Sequence, residues 1–224
     1  MGISIKKVFP GIFRDGRVLA TANLTPGLRV YGERLFHDKG GEYREWDPNR
    51  SKLGAAIVNG VREMPVKPGA VILYLGAANG TTVSHVSDVV GPGGLVVAVE
   101  FAPRPMRDLL RLCDRRENIV PILEDARFPE RYADVVAESG GADCVFEDVA
   151  DSEQVRIMDA NALLLKRGGR GMLALKARSI DAVSEPNKVF AQARERLEKT
   201  FNVLEQVDLE PFEKDHVLFL LEKK

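Results

Sequence analysis

The chain offers one turn whose residue types and spacing suit the binding of a nucleoside cofactor. Residues 76–82 follow the apolar segment 71–75 and precede a helical pattern over 81–90, and Glu100 ends the next apolar segment, 95–99. Glycines in such a turn let the backbone approach a ligand, and a carboxylate after the second strand can accept hydrogen bonds from two ribose hydroxyls. The layout therefore predicts one wall of a nucleoside-cofactor site.

The composition of this turn favours S-adenosylmethionine over a dinucleotide. Gly76-Ala77-Ala-Asn-Gly80 followed by Thr81 and Thr82 departs from the G-x-G-x-x-G fingerprint. A pyrophosphate is usually held at a bare helix N-terminus, whereas here two threonine hydroxyls crowd that position. A smaller cationic or zwitterionic ligand fits better, which disfavours a nicotinamide dehydrogenase.

Polar residues also follow the later apolar segments. Asp125 follows 118–123, Asp148 follows 143–146, and Lys176 ends 171–176. Ligands of an open α/β sheet bind outside the carboxyl ends of its strands, so all these positions are expected to meet at one edge.

Each position has a structural alternative. The glycines could serve only the turn, Asp125 could cap a helix that starts near Pro129, and Glu147 with Asp148 could be solvated loop carboxylates. Lys176 must either extend to water or face the ligand edge. The coincidence of the positions favours a single site over any one of these readings.

The other candidate side chains carry less weight. His216, at the start of the last apolar segment, would be structural on its own; His85 on the helix after the turn is expected to be a packing or surface residue, and His37 lies in an irregular segment. No Cys-x-x-Cys pair, His-Glu-x-x-His, Gly-x-Ser-x-Gly or Walker lysine occurs, so a metal site, a serine-hydrolase site and a P-loop are not predicted.

Length, composition and charge bound the class of protein. The 224 residues suit one α/β domain with a small appendage, and 45% hydrophobic with 29% charged residues is typical of a soluble globular protein. Neither a membrane span nor a signal peptide is predicted, and Cys113 and Cys144 are expected to be packing residues in a reducing cytoplasm. The balance of 32 basic and 33 acidic residues means that any RNA must be held by a local patch or by a partner.

The first 50 residues predict a small β subdomain and a linking segment. Strand-like segments at 4–9, 12–13 and 17–22 are broken at Pro10-Gly11 and at Asp15-Gly16, the latter a hairpin signal. Residues 23–48 are rich in Gly, Pro and charge. Ser51 is a suitable N-cap for a helix whose buried face includes Leu53 and Ile57.

Residues 51–224 predict a catalytic α/β domain. Five apolar segments, at 71–75, 95–99, 118–123, 143–146 and 171–176, read as strands buried on both faces. Helical patterns lie at 81–90, 104–116, 129–138, 152–166 and 186–201, with breakers at 91–94, 140–141 and 167–170. Segments 203–209 and 216–221 predict a final antiparallel pair. The expected fold is α/β, doubly wound, with a mostly parallel seven-stranded Rossmann-like sheet.

Several longer motifs resemble those of fibrillarins. They are Arg44-Glu-Trp-Asp-Pro-Asn-Arg-Ser-Lys-Leu53, the segment 71–90, Ala98-Val-Glu-Phe101, Phe146-Glu-Asp-Val-Ala150 and Leu209-Glu-Pro-Phe-Glu-Lys-Asp-His216. The resemblance covers nearly the whole chain and, since no Gly/Arg-rich tail is present, is to the archaeal type. It implies an S-adenosylmethionine-dependent RNA ribose 2′-O-methyltransferase, the catalytic subunit of a box C/D guide-RNA particle that modifies rRNA and tRNA.

The resemblance also implies the cofactor residues. Thr81 and Thr82 would lie by the methionine end, Glu100 would hold the ribose, and Phe101 would pack on the adenine. Asp125 and Ala126 would read the adenine edge, and Asp148, Val149 and Ala150 would line the sulfonium side. Asn79 replaces a usual Ser, and Asp151 replaces a usual Gln, so no contact is carried over to Asp151.

A catalytic set similar to the family's Lys-Asp-Lys-His arrangement would be Lys52, Asp148, Lys176 and His216. The sulfonium methyl is already activated, so the enzyme must align the ribose hydroxyl and help to remove its proton. Lys176 is expected to orient the hydroxyl and to accept or stabilise its proton, with burial and the charge of Lys52 favouring its neutral form. Asp148 would position Lys176, and His216 would complete the hydrogen bonds near the ribose.

The implied partners are a guide RNA, a target RNA, a Nop-type scaffold protein and a kink-turn-binding ribosomal-type protein. Two other functions remain open at this point. A stand-alone methyltransferase would need a substrate lid, and no insertion is large enough for one. A non-catalytic assembly subunit would have no need of two lysines at an apolar sheet edge.

Overall fold

A five-stranded antiparallel sheet forms the N-terminal part of the protein. The computed structural model describes residues 5–224, so Ser4, predicted to start the first strand, lies outside the described residues. The strands, which pair in the order β1-β2-β3-β5-β4, are β1 (Ile5–Phe9), β2 (Ile12–Asp15), β3 (Val18–Ala22), β4 (Leu35–Asp38) and β5 (Gly41–Glu45). The hairpin predicted at Asp15-Gly16 is confirmed, since Asp15 pairs with Val18 across a two-residue loop.

The hairpin of β4 and β5 lies where the sequence predicted an irregular linking segment, and that prediction was wrong. His37 accordingly lies on a strand. The two strands bury few residues, but Phe36 and Tyr43 are stacked register partners with ring centroids 5.9 Å apart. Short strands in a segment rich in glycine and charge give too weak an alternation to be recognised.

The second sheet has the predicted seven strands. Their order is β11-β12-β10-β9-β6-β7-β8, and β12 alone runs antiparallel to its neighbours. Their bounds are β6 (Val71–Leu75), β7 (Leu95–Glu100), β8 (Ile119–Leu123), β9 (Ala142–Glu147), β10 (Leu165–Lys176), β11 (Phe201–Asp208) and β12 (His216–Lys223). The strand order reverses beside β6, so the sheet is doubly wound and has a ligand edge at the carboxyl ends of its central strands.

Helices cover both faces of this sheet. They are α1 (Lys52–Val58), α2 (Thr81–Val90), α3 (Pro103–Cys113), α4 (Ala133–Glu138), α5 (Gln154–Asn161), α6 (Ala177–Ile180) and α7 (Pro186–Leu197). Alternate strand residues point to opposite faces: Ile72 and Tyr74 pack with α1, α2 and α3, whereas Leu73 and Leu75 pack with α4, α5 and α7. No helix in residues 5–224 is long and apolar enough to cross a membrane.

Several predicted boundaries differ from the structure, two of them next to β10. The helix predicted over 152–166 ends at Asn161 and continues as a 3₁₀ turn, Ala162–Leu164. Residues 167–170, predicted as a break, lie inside β10, where the register with β9 shifts between Leu165 and Arg170. Gly168 has a φ of 72° there, so the glycines form an irregularity within a strand and do not end one.

A buried polar network joins the N-terminal sheet to α2. The Arg44 guanidinium, fully buried, donates to Asp88, Glu33 and Ser84, and Arg116 donates to the other Asp88 oxygen. Beside it, His85 stacks on Trp46 with ring centroids 4.8 Å apart and bonds the hydroxyl of Thr21. His85 is therefore the buried packing residue that the sequence suggested. The domain boundary expected after residue 50 stays a prediction.

Candidate functional site

A cavity of about 200 Å³ lies at the carboxyl ends of the central strands β6, β7, β8 and β9. It brings together eight of the twelve predicted cofactor residues. These are Gly76, Glu100, Phe101, Asp125, Ala126, Asp148, Val149 and Ala150. The strand ends converge at this edge because the sheet is parallel here, as the sequence pattern required.

Four predicted cofactor residues do not line this cavity: Ala77, Gly80, Thr81 and Thr82. The Thr82 hydroxyl is buried and donates to Ser51 Oγ at 3.1 Å, so it faces the start of α1. The Thr81 hydroxyl donates to Asn79 Oδ1 at 3.1 Å on the exposed side of the turn. The two threonines thus point away from each other, because adjacent residues at a helix start are about 100° apart around its axis.

The two glycines of the turn are required by packing inside the protein. Both have positive φ, 81° at Gly76 and 87° at Gly80. A Cβ at Gly76 would collide with the Asp148 carbonyl, and a Cβ at Gly80 would lie 2.6 Å from Leu112 Cδ2 of α3. The close approach that the sequence assigned to a ligand is therefore made here by the neighbouring strand end and by α3.

Glu100 is held in place by two backbone amides. Its Oε2 accepts from Ala78 N–H and its Oε1 from Ala102 N–H, both at 2.8 Å, and the residue is buried. Each carboxylate oxygen keeps a further lone pair. The carboxylate is thus fixed at the cavity wall with acceptor capacity for a pair of ribose hydroxyls.

Phe101 and Asp125 border the same cavity in different ways. The Phe101 side chain is 72% exposed, which is unusual for an aromatic residue and leaves a free face at the cavity mouth. Both Asp125 oxygens accept hydrogen bonds from the Arg127 guanidinium; Oδ2 lies 3.0 Å from Nε and 2.6 Å from Nη2. These hydrogen bonds hold the pKa of Asp125 below its usual range. An adenine that contacts Asp125 must therefore also lie close to Arg127. Arg127 was not among the residues predicted from the sequence.

The residues around the cavity favour a cationic ligand. Its lining includes Glu100, Glu124, Asp125, Asp148 and Asp151 but only one basic residue, Arg127. Several carboxylates that line one cavity together attract positive charge. Asp151 belongs to this set, although no contact was carried over to it from the sequence. Within residues 5–224, no group of three His, Cys, Asp or Glu side chains is arranged to hold a metal ion.

Asp148 links the cofactor cavity to Lys52. Lys52 Nζ lies 2.8 Å from Asp148 Oδ1, with both side chains about four-fifths buried. Burial disfavours the charged form of Lys52, but the carboxylate of Asp148 outweighs it and raises the lysine pKa. The sequence reading expected Asp148 to position Lys176; the structure instead pairs Asp148 with Lys52.

Lys176 and His216 meet across two antiparallel strands. They are register partners at the ends of β10 and β12. His216 Nδ1 lies 2.7 Å from the Lys214 carbonyl, which assigns the proton to Nδ1 and leaves Nε2 as an acceptor. Burial lowers the pKa of His216, and the charges of Lys52 and Lys176 lower it further. His216 is thus a neutral imidazole close to both lysines.

Gln154 fixes the backbone at Lys176. Its Oε1 accepts from Lys176 N–H at 2.9 Å, and its Nε2 donates to the carbonyl of Asp151 at 2.7 Å. Gln154 is fully buried at the start of α5. Nothing in the sequence singles it out, since a glutamine on a helix is usually solvated.

Glu147 lies inside the sheet, so the alternative that it is a solvated loop carboxylate was wrong. It is the last residue of β9, fully buried, and neither carboxyl oxygen has a hydrogen-bond partner among the described residues. Burial raises the pKa of Glu147 well above its ordinary value, and Asp148 and Asp151 add to the effect. Both effects favour the neutral, protonated form of Glu147 beneath the site.

Comparison with known proteins relates the whole chain to one family. A family model described as fibrillarin matches residues 3–224. The fibrillarin-like rRNA/tRNA 2′-O-methyltransferase of Pyrococcus horikoshii is 51% identical over 228 residues, which cover 99% of this chain and 99% of the relative.

Two solved structures add a ligand and a partner. Aeropyrum pernix fibrillarin in complex with natively bound S-adenosyl-L-methionine is 44% identical, with a TM-score of 0.85 over 98% of this chain and 100% of that chain. A fibrillarin/Nop5p complex contains a chain that is 35% identical, with a TM-score of 0.86 over 98% of this chain and 100% of that chain. The fold of this chain is therefore that of fibrillarins of known structure.

Proposed function

The chain belongs to the fibrillarin family, and on that premise we propose how its residues carry out the family's reaction. The protein is an S-adenosylmethionine-dependent RNA 2′-O-methyltransferase that acts on rRNA and tRNA. Our proposal concerns the residues that bind the methyl donor, those that prepare the ribose hydroxyl, and the particle in which they work.

The cavity at the strand ends binds the methyl donor. S-adenosylmethionine supplies a sulfonium-activated methyl group. Glu100 accepts from the ribose hydroxyls and Phe101 packs on the adenine, while Asp125 and Ala126 lie at the adenine edge. Asp148, Val149 and Ala150 line the side nearest the acceptor, and the surplus of carboxylates suits a cationic ligand. Gly76, Ala77, Gly80, Thr81 and Thr82 shape the turn beneath the methionine end.

Lys52, Asp148, Lys176 and His216 form the acceptor side of the site. The observation that carries this proposal is the ion pair between Asp148 at the cavity wall and Lys52. The charges of Lys52 and Lys176 also lower the pKa of His216, and His216 is the register partner of Lys176. Lys176 orients the ribose hydroxyl and receives its proton. Nε2 of His216 can accept a hydrogen bond close to this hydroxyl. In the Lys52–Asp148 ion pair, the two charges balance each other.

The protein works in a particle in which other components supply most of the RNA affinity. The net charge is −1, so the chain as a whole does not attract a polyanion. We assign sequence selection to a box C/D guide RNA that pairs with the target RNA. A Nop-type scaffold protein, suggested by the fibrillarin/Nop5p complex, and a kink-turn-binding protein would hold the guide. The proposal places this particle in the cytoplasm and divides the chain into an N-terminal unit, 1–50, and a catalytic unit, 51–224.

The test is methyl transfer from labelled S-adenosylmethionine to a target RNA in the assembled particle. Lys176→Ala is expected to reduce the transfer rate by about 10²-fold or more, as for loss of a general base. Lys188→Ala, on the exposed face of α7, is the matched control. Near-normal transfer by Lys176→Ala would refute the assignment of the base.

The same assay separates the competing functions. Omission of guide and scaffold should abolish transfer to the target RNA. Transfer that persists without them would support a stand-alone enzyme, and absence of transfer in the complete particle would support a non-catalytic subunit. Titration of S-adenosylmethionine and NAD against the purified chain should give binding of the former alone.

A further inference from the structure

A second cleft, of about 430 Å³, lies between the loop at residues 25–30 and α3, outside the cofactor cavity. Four arginines line it: Arg29, Arg111, Arg115 and Arg116. Among the described residues that line it, only Asp108 is acidic. A local excess of positive charge in a chain of net charge −1 marks this cleft as different from the rest of the surface.

Three of these arginines are available to a ligand. Within residues 5–224, no carboxylate lies at ion-pair distance from the guanidinium groups of Arg29 or Arg115. Arg111 pairs with Asp108 at 2.9 Å, but both side chains are more than half exposed, and such pairs are readily exchanged for a better anion. The three guanidinium groups therefore have donors free for phosphate.

The fourth arginine, Arg116, stabilises the wall of the cleft, and its guanidinium is not available to a ligand. Arg116 is buried, lies 2.6 Å from Asp88, and donates to Thr25 of the N-terminal part at 3.3 Å. It thereby holds the loop that carries Arg29 against α2. The cleft is a fixed feature of the fold, because the buried network that joins the two sheets forms its floor.

The arginines continue along one face of α3. Arg104, Arg107 and Arg111 lie on α3 and Arg115 lies in the turn that follows it; all four are exposed, with spacings of three, four and four residues. Residues at these spacings share a helix face, and eleven residues of helix extend over roughly 16 Å. A stripe of that length suits an extended chain of phosphates better than it suits a single anion.

The cleft leads toward the acceptor site. Thr81 lines the cleft, and Thr82 beside it hydrogen-bonds Ser51. Ser51 precedes Lys52, which pairs with Asp148. On the other side, Arg50 lies over the Tyr31 ring at 4.9 Å, next to Val30 of the cleft. Basic residues thus run from α3 through the cleft to Lys52.

We propose that this cleft and the basic face of α3 bind the phosphodiester backbone of RNA beside the nucleotide being methylated. Guanidinium groups bind phosphate oxygens with paired hydrogen bonds, and the side-chain amide of Asn79 in the lining adds a further donor. A protein partner would call for a larger apolar surface than Leu28, Val30 and Leu112 provide. The identification of the ligand as RNA rests on the proposed function, whereas the expectation that it carries phosphate rests on the arginines of the cleft.

The experiment compares two triple variants of the full chain. Arg29→Gln/Arg111→Gln/Arg115→Gln removes the available charges of the cleft. Arg156→Gln/Arg194→Gln/Arg196→Gln removes three exposed charges from α5 and α7 on the opposite face of the sheet. Affinity for a short fluorescein-labelled single-stranded RNA is measured over a salt series, together with the affinity for S-adenosylmethionine and the thermal unfolding midpoint.

The cleft variant is expected to bind RNA at least ten-fold more weakly, with the slope of log K against log salt smaller by about 2. Its affinity for S-adenosylmethionine should not change, and the control variant should bind RNA like the unaltered protein. If the triple variant unfolds, Arg115→Glu alone should give the same direction of change, because that side chain has no ion pair to lose.

Equal RNA affinity of the unaltered protein and the cleft variant, including no binding by either, overturns the proposal. Loss of scaffold capture with unchanged RNA binding would assign the cleft to a protein and also overturn it. Failure of the unaltered protein to bind S-adenosylmethionine would instead count against the proposed function, so the two outcomes are distinct.

Discussion

Lys52 Nζ and Asp148 Oδ1 lie 2.8 Å apart, and Asp148 also lines the cavity assigned to the methyl donor. In the proposed site, one carboxylate therefore borders both substrates. It neutralises a lysine that would otherwise place an unpaired positive charge next to a cationic cofactor. The ion pair explains how a site that attracts a cationic cofactor can also hold the positive charge of Lys52 beside it.

We predict that Lys52→Gln reduces kcat for methyl transfer by about 10²-fold while the Kd for S-adenosylmethionine changes less than three-fold. The amide keeps the size of the side chain but leaves Asp148 without its counter-charge. Radiolabel transfer in the assembled particle and calorimetric cofactor binding give the two constants. Lys188→Gln is the control, and equal losses in binding and in kcat would contradict the assignment.

Gln154→Leu should lower kcat without changing the KM for either substrate. Gln154 touches only backbone near the site, at Lys176 and Asp151, so it positions the lysine and does not contact substrate. Loss of its three hydrogen bonds, two to the backbone of Lys176 and one to the carbonyl of Asp151, frees the end of β10. Gln192→Leu on α7 serves as the control for glutamine substitution, and a rise in KM with an unchanged kcat would refute the positioning role.

The two glycines of the Gly-rich turn should differ in their response to alanine. At Gly76 the new Cβ meets the Asp148 backbone carbonyl, whereas at Gly80 it meets the end of the Leu112 side chain, which can rotate away. Gly76→Ala should therefore destabilise the protein by more than about 3 kcal/mol and Gly80→Ala by about 1–3 kcal/mol. Denaturant unfolding measures both, and the reverse order would contradict this account.

The sheet and its ligand edge could be predicted from the sequence because the signal is repeated. Each central strand is a short apolar segment followed by a polar residue, and parallel strands must bring those residues to one edge. The resemblance then supplied roles for Lys52, Asp148, Lys176 and His216. Strand bounds at 71–75 and helix bounds at 81–90 were reproduced without change.

Pairings through space could not be predicted in the same way. The choice of Lys52 over Lys176 as the partner of Asp148 depends on where α1 meets the sheet, which no local pattern encodes. The roles of Gln154 and Arg127 depend on contacts with distant or irregular backbone. The β4–β5 hairpin was missed because its few buried residues lie in a segment dominated by glycine and charge.

The buried network between the two sheets should contribute much more to stability than a surface pair does. Asp88→Asn leaves Arg44 and Arg116 without their shared counter-charge in a fully buried position. We expect a loss of about 3 kcal/mol or more in the free energy of unfolding. Arg34→Gln breaks the exposed Arg34–Glu45 pair and should cost less than about 1 kcal/mol. Similar losses from the two variants in urea unfolding would contradict the prediction.

Glu147 should make the protein less stable as the pH rises. Its pKa is raised in the folded state by burial without a partner, whereas in the unfolded chain it returns to the ordinary value near 4.5. Above that pH the unfolded chain loses the proton and the folded protein keeps it, so the contribution of Glu147 is complete below pH 4.5 and declines as pH rises. The decline is about 1.4 kcal/mol per pH unit until the folded-state pKa is reached.

Glu147→Gln removes this titration because an amide binds no proton in either state. As the pH rises above about 4.5, the free energy of unfolding of the unaltered protein should therefore fall relative to that of the variant. Urea unfolding at a series of pH values measures the difference, and Glu138→Gln on the exposed face of α4 should run parallel to the unaltered protein. The difference in slope is the decisive quantity, because an effect of the amide on packing changes the stability equally at every pH. Parallel curves for Glu147→Gln would mean that Glu147 is ionised in the folded protein and has a partner there.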